Sequence, residues 1–160
     1  METVVLEHSY LGRVTGIKKS LGIHQFLGIK YADIPTRFSE PVPHIPKDFN
    51  ATRYGPQAPQ GANTCEGEFG LIGEKLPLDD VINISSENEC LTLNITVPVS
   101  QTDRKYKDLP VVVWVHGGNF QLGSSSWPQY DLAHLVSTSD RIGKPIVGIS
   151  VKFDILRAAG

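Results

Sequence analysis

The run Val111-Val-Val-Trp-Val115, followed by His116-Gly-Gly118, constrains this chain more than any other stretch. β-Branched side chains are stiff at χ1 and suit a pleated surface better than a helix. The run does not alternate apolar with polar, so it reads as a parallel strand covered on both faces. Gly117 and Gly118 stop it. Paired glycines let the chain turn sharply and bring bare backbone N–H groups close to anything bound there. Donors held in that way can stabilise an oxygen that acquires negative charge.

The flanking segments supply a sheet for this strand. Apolar runs at 3–6, 10–17 and 22–27, separated by glycines, predict a small antiparallel meander. Prolines then recur at 35, 41, 43, 46, 56 and 59. Each removes a donor and restricts the residue before it, so this part reads as extended coil. Residues 61–88 are polar and turn-rich and read as a loop. Leu91-Thr-Leu-Asn-Ile-Thr-Val97 alternates over a full strand length and stops at Pro98. A charged turn is expected over 99–108. The spacing of Tyr130, Leu132, Ala133, Leu135 and Val136 predicts an amphipathic helix over 128–139, with Pro128 in its first turn. Residues 145–153 predict a second buried strand. Strand, helix and strand in this order make a right-handed parallel crossover, and the fold class is α/β.

Composition excludes several functions. The 160 residues carry a formal net charge of −2 and are 40% hydrophobic, which suits one domain and gives no footprint for nucleic acid or an anionic membrane. No apolar run approaches the ~20 residues of a membrane span. Met1-Glu-Thr-Val-Val-Leu-Glu-His8 has neither a basic start nor a long apolar core, so it does not read as a signal peptide and leaves the compartment open. Cysteine and histidine do not cluster at metal spacing, so no metal or other cofactor is expected. Cys65 and Cys90 fit either a bridge worth roughly 3–4 kcal/mol or a pair of reduced thiols. Asn50, Asn83 and Asn94 each begin an Asn-x-Ser/Thr triplet, but Asn94 falls within an expected strand, where a glycan cannot sit.

Several further motifs occur in a fixed order. They are Gly12-Arg-Val-Thr-Gly16, Phe26-Leu-Gly-Ile-Lys-Tyr-Ala-Asp-Ile-Pro35 with Arg37-Phe38 after it, Tyr54-Gly-Pro-Gln-Ala-Pro-Gln60, Glu89-Cys-Leu-Thr-Leu-Asn-Ile95 and Leu109 to Ser124. Together they resemble the N-terminal part of the type-B carboxylesterase/lipase family, the cholinesterase-like α/β-hydrolases, over essentially the whole chain. The resemblance implies the start of an α/β-hydrolase fold, a meander followed by the first strands of the central mixed sheet. It implies one partial domain over 1–160, lacking the catalytic half. It also implies a Cys65–Cys90 disulfide and hydrolysis of a small-molecule ester by a Ser-Glu/Asp-His triad. The oxyanion donors map to the N–H groups of Gly118 and Asn119, in the loop that His116 and Gly117 open.

The chain departs from the family pattern at several points. Asn119 stands where relatives carry Gly or Ala. Glu87-Asn-Glu-Cys90 replaces Ser-Glu-Asp-Cys, so Arg37 must turn to Glu87, Glu89 or solvent. Lys152-Phe-Asp-Ile-Leu-Arg157 replaces Asn-Tyr-Arg. No Gly-x-Ser-x-Gly is present, so nucleophile, acid and base are expected outside these residues. His116 is expected to be a packed, hydrogen-bonded imidazole rather than the catalytic base. Trp114 is expected in the core, Trp127 in surface packing or an acyl pocket, and Asp131 and Asp154 as caps or solvated carboxylates. Phe69 is the only aromatic between the cysteines, so a choline-stacking site is not supported. In the family's sheet a later strand flanks the 110–116 strand. Here that strand is expected to be an apolar edge, open to self-association. The alternative readings are a non-catalytic binding or adhesion member of the family and an inactive truncated product.

Overall fold

The computed structural model describes residues 1–78, 84–99 and 108–153. Most of the turn expected at 99–108 lies outside the described residues, as do Asn83 and Asp154. The meander forms as expected from β1 (Thr3–His8), β2 (Gly12–Lys19) and β3 (Ile23–Lys30), which pair antiparallel in sequence. Short strands β4 (Ala32–Asp33) and β5 (Val42–Pro43) pair with each other within the proline-rich segment. β6 (Phe49–Asn50) lies parallel to β2. A helix, α1 (Thr64–Ile72), follows. β7 (Thr92–Pro98) and β8 (Val111–Val115) precede α2 (Ala133–Arg141) and β9 (Val147–Val151).

Among the described residues the main sheet runs β1-β2-β3-β7-β9-β8, with β6 attached to β2. β9 is parallel to β8 and antiparallel to β7, so the crossover through α2 closes a mixed α/β sheet. This is the N-terminal architecture that the motifs imply.

The sheet buries its polar face. Side chains alternate along a strand, and β7 shows this strictly: Thr92, Asn94 and Thr96 are buried, while Leu93, Ile95 and Val97 are half-buried. Pairing carries the pattern across, with Gln25 opposite Thr96 and Ser150 opposite Asn94. α2 covers this polar face, and its Val136 and Leu132 lie close over Gly148, where a Cβ would come within 3.0 Å of Val136. Hydrogen bonds make the arrangement tolerable. The Asn94 amide donates to the Ser125 carbonyl and hydroxyl at 3.2 Å each and to the Ser150 hydroxyl at 3.1 Å. Its oxygen accepts from the Gly28 N–H at 2.9 Å, at the irregularity in the β3–β7 register between Phe26 and Ile29. Gln25 donates to Thr96 and to the Asp131 carboxylate. Asn94 is therefore buried in a strand, as its sequence position predicts.

The opposite face carries Leu6, Val14, Phe26, Ile95, Ile149 and Val113. Phe49 and Ala51 pack on its meander end. Towards β8 it opens to solvent.

Several expectations need correction. Every residue of β8 is exposed, Val113 at 57% and Trp114 at 41%, so the run is not covered on both faces and Trp114 is not core. The strand is the sheet's edge, as expected for a strand without the later one that flanks it in the family, because β9 is its one neighbour among the described residues. Trp127, at 1% exposure, is buried against Cys65 and Phe69 and does not pack on the surface. The 61–88 loop contains α1, which Gly67 and Gly70 dilute and no side chain caps. The disulfide is not formed. Cys65 packs with Phe69 and Trp127, Cys90 with Ala32, Ile34, Ala58 and Leu91, so the two thiols sit in separate apolar clusters. Burial pushes the Cys65 thiol up to about 11.

The helix expected over 128–139 is split. Pro128–Tyr130 forms a single 3-10 turn, and α2 starts only at Ala133. The Asp131 carboxylate accepts the Ala133 N–H at 2.9 Å, one residue before the Leu132 N-cap of α2, so it is hydrogen-bonded instead of solvated. Arg37 pairs with Glu87 at 3.7 Å, and Glu89 is taken by Lys30 at 2.8 Å.

Candidate active-site loop

β8 delivers the chain to His116, which turns inward and is 3% exposed. Its ring stacks on Phe153 at 4.4 Å and 11°. Nδ1 donates to the Gly117 carbonyl at 2.9 Å, so the neutral ring carries its proton there and Nε2 is a bare lone pair. Among the described residues Nε2 is buried without a hydrogen-bond partner. Burial holds the imidazole below its ordinary pKa, and the Lys152 charge pushes the same way. This His is thus packed and hydrogen-bonded through Nδ1, and it is not placed to relay protons to solvent.

After His116 the backbone takes three successive left-handed or extended positive-φ steps, at Gly118 (121°), Asn119 (53°) and Phe120 (58°). Asn tolerates this region better than most residues, so the departure from Gly at 119 keeps the turn. The Gly118 carbonyl accepts from Gln121 and Leu122 at 3.0 and 3.2 Å, closing the loop from behind. Among the described residues no hydrogen bond takes the N–H of Gly118 or of Asn119. The two glycines of the pair are not equivalent. A Cβ at Gly118 would lie 1.9 Å from the Leu122 carbonyl oxygen, whereas one at Gly117 would meet nothing within 4 Å.

The far end of the loop is clamped. The Gln60 side chain accepts from the Gly123 N–H at 2.8 Å and donates to the Gly123 carbonyl at 3.2 Å, mimicking a peptide pair. A Cβ at Gly123 would strike His116 Nδ1 at 2.3 Å. Ser124, Ser125 and Ser126 follow, all buried, with the Ser124 and Ser126 hydroxyls bonded at 2.7 Å. These serines are structural and tie the loop to Asn94. Gln60 was not singled out by its sequence context, because its partner is backbone sixty residues away.

Lys152 was missed in a similar way. A lysine at a strand end reads as solvated, yet this one is 1% exposed. Its ammonium donates to the Gly55 and Pro56 carbonyls at 2.7 and 3.0 Å, pinning the proline-rich segment to β9. Burial pushes its pKa down to about 7. Among the described residues no His, Cys, Asp and Glu grouping could hold a metal ion, and no helix is long and apolar enough to cross a membrane.

Comparison with known proteins matches residues 2–149 to the family described as "Carboxylesterase family". Lipase 3 of Yarrowia lipolytica is 36% identical over 141 residues, covering 82% of this chain and 26% of that protein. The para-nitrobenzyl esterase of Bacillus subtilis is 35% identical over 136 residues, covering 82% and 24%. The mouse cholinesterase is 38% identical over 133 residues, covering 75% and 20%. Among solved structures, a PNB esterase superposes with a TM-score of 0.67 at 30% identity, over 94% of this chain and 27% of its own. The Aspergillus niger EstA structure gives 0.65 at 25% identity, over 96% and 26%. The chain therefore spans about a quarter of the length of these relatives.

The buried lysine sets a pH dependence. The unfolded chain keeps the Lys152 proton to about pH 10.5, whereas the folded chain gives it up near 7. Between these values the unfolded state binds more protons, so stability rises with pH, by at most ~1.4 kcal/mol per unit from this group. The urea midpoint should climb between pH 7 and 10, and Lys152→Met should flatten that climb. A Lys152→Met slope equal to that of the unsubstituted chain would contradict the assignment.

Proposed function

Since the chain belongs to the carboxylesterase family, we propose that it supplies the oxyanion-binding part of a carboxylic-ester hydrolase site. One observation carries the reading. The N–H groups of Gly118 and Asn119 are adjacent, and among the described residues no hydrogen bond takes either. A serine nucleophile attacking an ester carbonyl places negative charge on the carbonyl oxygen as the tetrahedral intermediate forms. Two backbone donors fixed in advance stabilise that charge, each by about 3–4 kcal/mol of barrier. The Leu122 N–H donates to the Gly118 carbonyl and holds Gly118 from behind, and the Gln60 clamp fixes the loop's exit. Holding the charge on backbone dipoles requires neither metal nor cofactor.

In this reading the nucleophile, acid and base stand outside these 160 residues, since the Gly-x-Ser-x-Gly turn is not among them. The chain alone then has no route to turnover. It holds the charge of an intermediate that another part of the site must generate. The substrate class is a small carboxylic ester.

The same reading concerns the edge. Among the described residues β8 has one unpaired backbone edge, and it offers that edge and five exposed apolar side chains to any strand. The chain on its own therefore self-associates through β8.

Two measurements test these points. A chimera in which these residues replace the matched quarter of a para-nitrobenzyl esterase should hydrolyse p-nitrophenyl butyrate, and the isolated chain should not. In the chimera, Gly118→Ala should lower kcat by about 10²–10³, while Gly117→Ala should change it less than ten-fold. Equal activity of the two variants, or turnover by the isolated chain, would refute the proposal. In sedimentation velocity the isolated chain should show concentration-dependent oligomers that Val113→Lys abolishes. A monodisperse monomer without that substitution would remove the edge argument.

A further inference from the structure

We infer that Lys152 is a positioning residue for the glycine loop: it anchors residues 55–60 as a strap, and the strap holds the loop's exit at Gly123. The effect on turnover rests on the ester-hydrolysis reading, whereas the anchoring stands on the hydrogen bonds alone.

Lys152 is fixed before its side chain reaches anything. Its N–H donates to the Thr92 carbonyl at 2.9 Å, and its carbonyl accepts from the Tyr31 hydroxyl at 2.8 Å. From that base the ammonium donates to the Gly55 and Pro56 carbonyls, two consecutive main-chain acceptors. The strap needs donors from outside itself. Pro56 and Pro59 carry no N–H, so this stretch cannot hold itself to a strand by an ordinary ladder. Gly55 lies against β7, where a Cβ would come within 2.6 Å of the Thr92 Cγ2. Burying an ammonium against carbonyls instead of a carboxylate is costly, but a charged donor makes stronger bonds than a neutral one. A lysine at this position gives up some stability and gains a firm hold on the strap.

The far end of the strap meets the loop at two points. The Gln57 side chain accepts from the Trp127 indole N–H at 3.3 Å. Gln60 makes its two bonds to Gly123. Ala58, between them, is buried and belongs to the cluster of Cys90 and Leu91. The Gln57 main chain pairs with Ile84 and Ser86, which ties the strap sideways, whereas Lys152 ties it to the sheet. Gly123 in turn touches the loop's entry, since a Cβ there would lie 2.3 Å from His116 Nδ1 and 2.4 Å from the Gly117 carbonyl oxygen. The residue after Lys152 acts on that entry directly, because Phe153 stacks on His116. Two consecutive residues beyond β9 thus bear on both ends of the turn that carries the Gly118 and Asn119 N–H groups.

Amide hydrogen exchange of the 160-residue chain, in a Val113→Lys background and at one fixed pH, tests the anchoring. Lys152→Met keeps a side chain of similar length and removes every donor. It should speed exchange of the Gly123 N–H by about ten-fold or more, the scale of a hydrogen bond from a charged donor, while the amides of β3 and β7 keep their protection. Gly55→Ala pushes the strap off Thr92 with Lys152 intact, and it should speed Gly123 in the same way. Kinetics in the para-nitrobenzyl esterase chimera test the consequence. Lys152→Met should lower kcat about ten-fold with KM nearly unchanged, because the oxyanion donors act in the transition state. With Gln60→Met already present, Lys152→Met should cost less than about two-fold, since both act through one strap. An unchanged Gly123 rate in either folded variant, a uniform loss of protection across the sheet, or additive kcat losses would overturn the inference. A chimera without activity would sink the ester-hydrolysis reading and leave the Gly123 exchange rates to decide the anchoring.

Discussion

The carboxamide of Asn94 is the point at which this structure is tied together. A single buried side chain joins β3 through the Gly28 N–H, β9 through Ser150 and the serine segment through Ser125. Burying an amide is costly unless its donors and acceptor are matched, and here they are. The cost explains why the sheet presents threonine, asparagine, glutamine and serine to α2. Asn94 holds Ser150 and Gln25 holds Thr96, and the connection after β8 passes over them instead of over an aliphatic surface. The aliphatic side chains go to the other face, where Phe49 and Ala51 cover one end.

The glycine loop inherits its order from that network. Its exit is fixed by Gln60 on Gly123 and by the buried serines that Asn94 reaches. Its entry is fixed by His116, which is stacked on Phe153 and hydrogen-bonded to the next carbonyl. Between these anchors the backbone reverses with positive φ at three consecutive residues, a conformation that needs external support. Among the described residues no hydrogen bond takes the N–H of Gly118 or of Asn119 within that turn. The loop is therefore held at both ends by elements of the described sheet.

Much of this was legible in the residues. Alternation marked the meander and β7, β-branched runs marked β8 and β9, and the ordered motifs marked the family. What escaped had a common cause: it depended on what lies opposite a residue in space. The run at 111–115 shows by itself only that it is apolar, and its place at the edge was legible through the family resemblance instead. Lys152 looks like a solvated strand end until Gly55 and Pro56 are found above it. Gln60 acts on backbone far along the chain. α1 was hidden because Gly67 and Gly70 weaken its helical pattern and Asn63, at its N-cap, enters with positive φ instead of a capping bond. The disulfide came from resemblance alone, and the separation of the two cysteines into different clusters is a tertiary fact.

The claim that the buried polar network organises the fold can be measured at Asn94 itself. In a Val113→Lys background, urea unfolding followed by tryptophan fluorescence should show Asn94→Ala less stable by about 3 kcal/mol, since four hydrogen bonds are lost and their partners stay buried. A loss below about 1 kcal/mol, the scale of one ordinary hydrogen bond, would contradict the account.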